Sequence, residues 1–215
     1  MSRRAIAVVI GCITLIAAVV AVLPFTPAMP VDAVSVEGAV NLPAEEVEAL
    51  SGIEAGTPMG RVDVRGAAHR VAGNPWVDSA TVKRQWPNAV DITVVEHTPV
   101  AWLDQSGEPH LINSEGKDFV IAQPPVGAVQ LTGIGDEQMR EAVEVAAAIT
   151  DPARPQVREL TTDGAHNFVL KVEGDRTVVW GAAEDNRNKA LALETVLQLP
   201  GQSFNISNPE LVTSR

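Results

Sequence analysis

Residues 78–96 read DSATVKRQWPNAVDITVVE, and this stretch decides the fold of the first half of the chain. Ala80 and Val82 alternate with polar residues before a turn at Pro87-Asn88, and Val90, Ile92 and Val94 alternate after it. A period of two puts these apolar side chains on one face of an extended chain, so the stretch predicts a β-hairpin buried on one side. Such a hairpin needs a cover, and two short helices upstream fit that need. Pro43 stands at a first-turn position, Glu45 and Glu46 favour the positive end of a helix dipole, Val47 and Leu50 share a face, and Gly52 stops the helix. Asp63 reads as the N-cap of the next helix, with Val64, Ala67, Ala68 and Val71 on one side and Gly73-Asn74-Pro75 ending it. Val34 and Val36, running into Gly38, add a first strand. The order strand, helix, helix, strand, strand is a compact α+β module with its helices on one face of a small sheet.

Beyond Pro99, turn signals at Ser106-Gly107, Ser114-Glu115-Gly116, Asp163-Gly164 and Glu173-Gly174-Asp175 separate short strand-like runs. They predict a second, mainly antiparallel β domain with flanking helices. One helix is capped by Asp136 and carries Met139, Val143, Ala146 and Ile149 on one side. A second, over 184–199, carries Leu193, Val196 and Leu197. A closing strand over 203–207 alternates at Phe204 and Ile206. The chain is therefore α+β, with domains at 31–99 and 100–208 and a tail at 209–215.

The amino-terminal end reads differently. Residues 5–23 hold no charge, and as a helix of 19 residues they would extend about 28 Å, close to the thickness of a bilayer's hydrocarbon core. Arg3 and Arg4 precede this run, so residues 1–4 are expected in the cytoplasm and the bulk of the chain outside it, a single-pass type II arrangement in the cell membrane. A cleaved signal peptide is the competing reading, with small residues near Thr26-Pro27-Ala28, although the apolar run is longer than a usual signal core. Pro24, Pro27 and Pro30 form a stiff spacer.

Removing Arg3 and Arg4 from 16 basic residues leaves 14 against 27 acidic ones in the part after the run, a net charge of −13. Nucleic acid is a poor partner for such a surface. The single cysteine, Cys12, lies in the apolar run, so the remainder has no thiol. His69, His97, His110 and His166 are scattered and form no metal-binding spacing, no nucleophile elbow or phosphate loop occurs, and no cofactor is expected. His97 could face Glu96 or Asp91 but reads as a surface position on a strand. Glu45, Glu46 and Glu48 read as a solvated helix face rather than an acid/base pair. Of Trp76, Trp86, Trp102 and Trp180, Trp86 beside the Pro87 turn is the candidate for exposure and partner contact.

Val36-Glu37-Gly38, Asn74-Pro75-Trp76-Val77, Arg84-Gln85-Trp86-Pro87 and Val94-Val95-Glu96-His97-Thr98-Pro99-Val100-Ala101 follow one another in an order and spacing that resembles the POTRA domain of the FtsQ/DivIB cell-division family. The resemblance continues through Leu111-Ile112-Asn113-Ser114-Glu115-Gly116, through Val179-Trp180-Gly181 with Lys189, and through Ile206-Ser207-Asn208-Pro209. Two positions depart from the family's pattern: His97 stands where an arginine is usual, and Asn113 where an aspartate is usual. The resemblance implies a non-enzymatic divisome scaffold at the septum. Such a scaffold binds other bitopic division proteins, of FtsB/DivIC and FtsL type, outside the cytoplasm and helps control septal cell-wall synthesis. It also implies that the last strands of the second domain accept a partner strand at a free sheet edge. That edge is expected at 203–208, with Phe204, Ile206, Asn208, Leu211 and Val212 as contacts. The competing reading has Phe204 and Ile206 pointing into the core. A membrane-anchored envelope enzyme and a POTRA-type translocation or chaperone module are the rival functions.

Overall fold

Val90 and Ile92 have no exposed surface and Val94 almost none, so the alternating face of the hairpin is the floor of a core. The computed structural model describes residues 3–164 and 166–214, with the side chains of residues 3–9 outside the described set. Two units make up the chain, divided between Glu96 and His97.

The first unit opens with helix α1, Arg3–Val22, followed by a 3-10 turn at Leu23–Phe25. Among the described residues no helix is long and apolar enough to cross a membrane. The side chains of Arg3 and Arg4, and residues 1 and 2, on which the expected cytoplasmic end rests, lie outside the described residues. After α1 come β1 (Ala33–Glu37), α2 (Ala44–Ser51), α3 (Val64–Val71), β2 (Val77–Gln85) and β3 (Ala89–Glu96). The sheet order is β1-β3-β2, with β3 antiparallel to β2 and parallel to β1, where Val36 lies opposite Ile92. Val47, Ala67 and Val71 of the helices pack with Val90, Ile92, Val94 and Met59 in one core. Asp63 caps α3, accepting from the Gly66 N–H at 2.9 Å.

Two polar clusters tie the loops of this unit down. The Glu96 carboxylate accepts the backbone N–H groups of Val40, Asn41 and Leu42 at 2.8–3.1 Å and the Asn41 side-chain amide at 2.7 Å. The Arg84 guanidinium donates to the carbonyls of Met59 (2.8 Å) and Val62 (2.5 Å). Gly38, with φ +84°, lets the chain leave β1 against β3. A Cβ there would lie 2.1 Å from the Val94 carbonyl oxygen, so no larger residue fits.

The second unit carries a sheet in the order β12-β11-β10-β9-β8-β7-β4-β5-β6. Its strands are β4 (Pro99–Gln105), β5 (Glu108–Asn113), β6 (Asp118–Ile121), β7 (Val129–Thr132), β8 (Val157–Thr162), β9 (Phe168–Val172), β10 (Arg176–Gly181), β11 (Ser203–Asn205) and β12 (Thr213–Ser214). Among the described residues three neighbouring pairs, β4 with β7, β7 with β8 and β10 with β11, are parallel. The other five are antiparallel. The expectation of a mainly antiparallel sheet missed these parallel pairs. Parallel neighbours need a crossover, and the helices supply two of them: α4 (Met139–Ala148) joins β7 to β8 and α5 (Asn186–Leu197) joins β10 to β11. Ala142, Val143 and Ala146 of α4 and Leu193, Val196 and Leu197 of α5 share one core with Phe168, Leu170, Val178 and Trp180.

Some expected details differ. Residues 136–138 form a 3-10 turn and α4 begins at Met139, with the Gly135 N–H rather than Asp136 taking the reciprocal bond, to Gln138 Oε1 at 3.2 Å. His97 is buried rather than a surface strand position. Its ring nitrogen Nδ1 lies 3.1 Å from Asn113 Nδ2, and its ring centroid is 4.9 Å from that of Phe119. The residues expected as a tail turn back to form β12.

Candidate functional site

The carboxyl-terminal end of the second sheet is built by a close approach of two backbones. β11 runs parallel to β10, with Val178 opposite Phe204 and Val179 opposite Asn205, and the Ile206 N–H donates to the Val179 carbonyl at 2.9 Å. Gly181 makes the approach feasible. At φ +81° it carries no Cβ where one would lie 2.7 Å from the Ser207 Cβ. Trp180, fully buried, is oriented by its Nε1–H, which donates to Asn186 Oδ1 at 2.9 Å at the start of α5.

The sequence signal at Phe204 and Ile206 was real, but it reports burial. Both side chains lie in the core, so the expectation that they face a partner is corrected. The edge itself also moves. β12 pairs antiparallel with β11, Phe204 opposite Ser214 and Asn205 opposite Thr213, and so stands outside it as the last strand of the sheet. Asn208 sits in the reversal between the two strands, where its Oδ1 accepts the Glu210 N–H at 3.1 Å and its carbonyl accepts the Leu211 N–H at 3.1 Å. Leu211 is 68% exposed and Val212 39%. The structure therefore gathers Asn208, Leu211 and Val212 at one exposed corner, above Phe204 and Ile206. Trp86 belongs to the first unit, where it is 53% exposed at the hairpin tip.

Beside this corner, Asn188, Leu191 and Thr195 of α5 face Pro209 and Glu210 across a groove of about 410 Å³, with Asp185 at its rim. Leu191, exposed there, escaped the sequence reading because it lies off the buried face of α5. Thr213 and Ser214 escaped because a two-residue strand has no period to detect. Lys189, on the inner side of α5, is almost fully buried and donates from Nζ to the Ala182 carbonyl at 2.8 Å. Burial pulls its pKa below the ordinary lysine range, against the opposing pull of Glu184 and Asp185. Lys189 thus fixes the segment between β10 and α5. Among the described residues no group of three His, Cys, Asp or Glu side chains is placed to hold a metal ion. Among the described residues the corner offers instead a strand that ends the sheet, exposed leucine and valine, and an acidic rim. Those features suit the addition of a peptide strand.

The family model described as the POTRA domain, FtsQ-type, matches residues 29–97, and that of the cell division protein FtsQ/DivIB, C-terminal, matches residues 100–210. The cell division protein FtsQ of Corynebacterium glutamicum is 32% identical over 223 residues, covering all of both chains. That of Mycolicibacterium smegmatis is 33% identical over 195 residues, covering 89% of this chain and 59% of its own. That of Streptomyces griseus is 27% identical, covering 83% of this chain and 93% of its own. Among solved structures, the major extracytoplasmic domain of the division protein DivIB from Geobacillus stearothermophilus matches at 13% identity and a TM-score of 0.38. It covers 49% of this chain and 98% of that one. The chain belongs to the FtsQ/DivIB family of bacterial cell-division proteins.

Proposed function

We propose that this division protein is a single-pass membrane scaffold. Residues 5–23 span the membrane, and the domains at 31–99 and 100–208 lie outside the cytoplasm. There it binds other bitopic division proteins, of FtsB/DivIC and FtsL type, and through them helps control septal cell-wall synthesis. It acts by binding rather than by catalysis. Support for the span is the run of 19 residues without a charge at 5–23, which as a helix would extend about 28 Å. Support for the orientation is Arg3 and Arg4 immediately before that run.

One observation carries the binding reading: β12 ends the sheet, beside exposed Leu211 and Val212. A partner strand laid along β12 would gain main-chain hydrogen bonds from the edge and specificity from alternate side chains meeting Leu211, Val212 and the α5 groove. Asp185 and Glu210 at the groove favour a basic side chain on that partner. The test is binding of partner ectodomains to the full chain carrying Leu211→Asp with Val212→Asp, or Thr213→Pro. Loss of binding with an unchanged unfolding midpoint is the expected result; parent-like affinity in both variants would place the site elsewhere.

A further inference from the structure

Three segments meet at the end of the first unit where α1 arrives. The 3-10 turn at Leu23–Phe25 continues α1, and the Phe25 ring lies on Gly60, where a Cβ would come within 3.0 Å of it. The following residues bind the loop at 56–62: the Met59 N–H donates to the Met29 carbonyl at 2.9 Å and the Val31 N–H to the Thr57 carbonyl at 2.8 Å. The next residue binds the hairpin tip. The Asp32 N–H donates to the Asn88 carbonyl at 2.8 Å, and Asn88 returns its side-chain amide to Asp32 at 2.7 Å. Arg84 closes the set by joining the hairpin to Met59 and Val62.

This end carries three exposed apolar side chains: Leu23 (41%), Phe25 (50%) and Trp86 (53%). Arg61 and Lys83 are exposed on the same segments and Arg84 is half-buried, in a chain whose part after the apolar run is otherwise strongly acidic. Tryptophan and phenylalanine flanked by basic residues, next to the end of an apolar helix, is the composition that settles at a bilayer's headgroup boundary. We propose that this end of the first unit rests on the lipid interface, with Trp86 and Phe25 seated among the headgroups. The hairpin tip then acts as a second foothold that limits the tilt of the unit on the membrane. This inference rests on the reading of α1 as a membrane span.

The test uses the full chain in vesicles of phosphatidylethanolamine and phosphatidylglycerol, with part of the acyl chains brominated near the headgroup. Trp180 is buried and Trp76 and Trp102 are half-buried, so Trp86 is the one exposed tryptophan of the four. Brominated lipid should quench part of the emission, and Trp86→Phe should remove that quenched part. In parallel, Cys12, the only cysteine and part of α1, should resist a charged maleimide until detergent is added. Protected Cys12 with equal quenching in the parent and Trp86→Phe would overturn the interface and leave the span standing. Cys12 labelled in intact vesicles would overturn both.

Discussion

Asn113 presents its side-chain nitrogen to Nδ1 of His97 at 3.1 Å, because its oxygen is already committed to the N–H groups of Glu115 (3.0 Å) and Lys117 (2.9 Å). The ring nitrogen is therefore the acceptor. The pair meets at a buried spot, where two ions would each give up their hydration.

Asn113→Ala should lower stability by about 1–3 kcal/mol, since it strands the turn N–H groups of Glu115 and Lys117 and removes the donor to His97 Nδ1. His97→Arg alone should also destabilise, by placing a cation against an amide N–H and Lys117. The double change His97→Arg with Asn113→Asp should recover much of that loss, with a coupling of about 0.5–3 kcal/mol in a double-mutant cycle read from urea unfolding. Simple additivity would show that the two side chains do not act as a pair.

Glu96 makes the first unit sensitive to acid. Burial raises its pKa, but the N–H groups of Asn41, Leu42 and Val40 and the Asn41 side chain outweigh burial and hold the carboxyl below its ordinary 4.5. Its contribution is therefore fully present above 4.5 and is lost as pH falls through the depressed folded value. Glu96→Gln should unfold at lower urea than the parent at neutral pH, and the two curves should converge in acid. A gap that stays constant with pH would mean that the carboxylate charge is not what holds the loop at 40–42.

Phe204 and Leu211 test packing against the proposed recognition. Phe204→Ala should cost about 3–5 kcal/mol and weaken partner binding only through loss of the fold. Leu211→Ala should stay within about 0.5 kcal/mol of the parent and still weaken binding. Calorimetric unfolding alongside a binding titration checks both.

Gly181→Ala should force β10 and β11 apart, because a Cβ there meets Ser207 and the left-handed backbone disfavours any side chain. The left-handed conformation alone costs about 1–2 kcal/mol. Amide exchange of β11 and β12 should rise before that of β8 and β9. Uniform exchange across the sheet would contradict this local role.

The first unit was largely legible from sequence because each of its signals is local. The alternation at Val90, Ile92 and Val94, the Asp63 cap and the Gly38 turn each declare themselves within a few residues. The second unit was less so. Its parallel pairs depend on where α4 and α5 carry the chain, and no short window encodes that. At the carboxyl-terminal edge the sequence was legible only in part: the alternation of Phe204 and Ile206 says that one face of a strand is buried, but not whether another strand lies alongside. That second fact rests on Thr213 and Ser214, whose pairing leaves no pattern in the sequence. His97 was misjudged because its partner, Asn113, is 16 positions away.

The parallel pairing of β1 with β3 has a consequence for biogenesis. Ser35 meets Asp91 across a separation of 56 residues, so the first strand to be synthesised cannot be secured until the hairpin has followed it. Until then Val34 and Val36 have no sheet to join, and the nascent segment presents an unpaired, apolar ribbon. A holding chaperone, or rapid delivery of the next 56 residues, is the natural remedy.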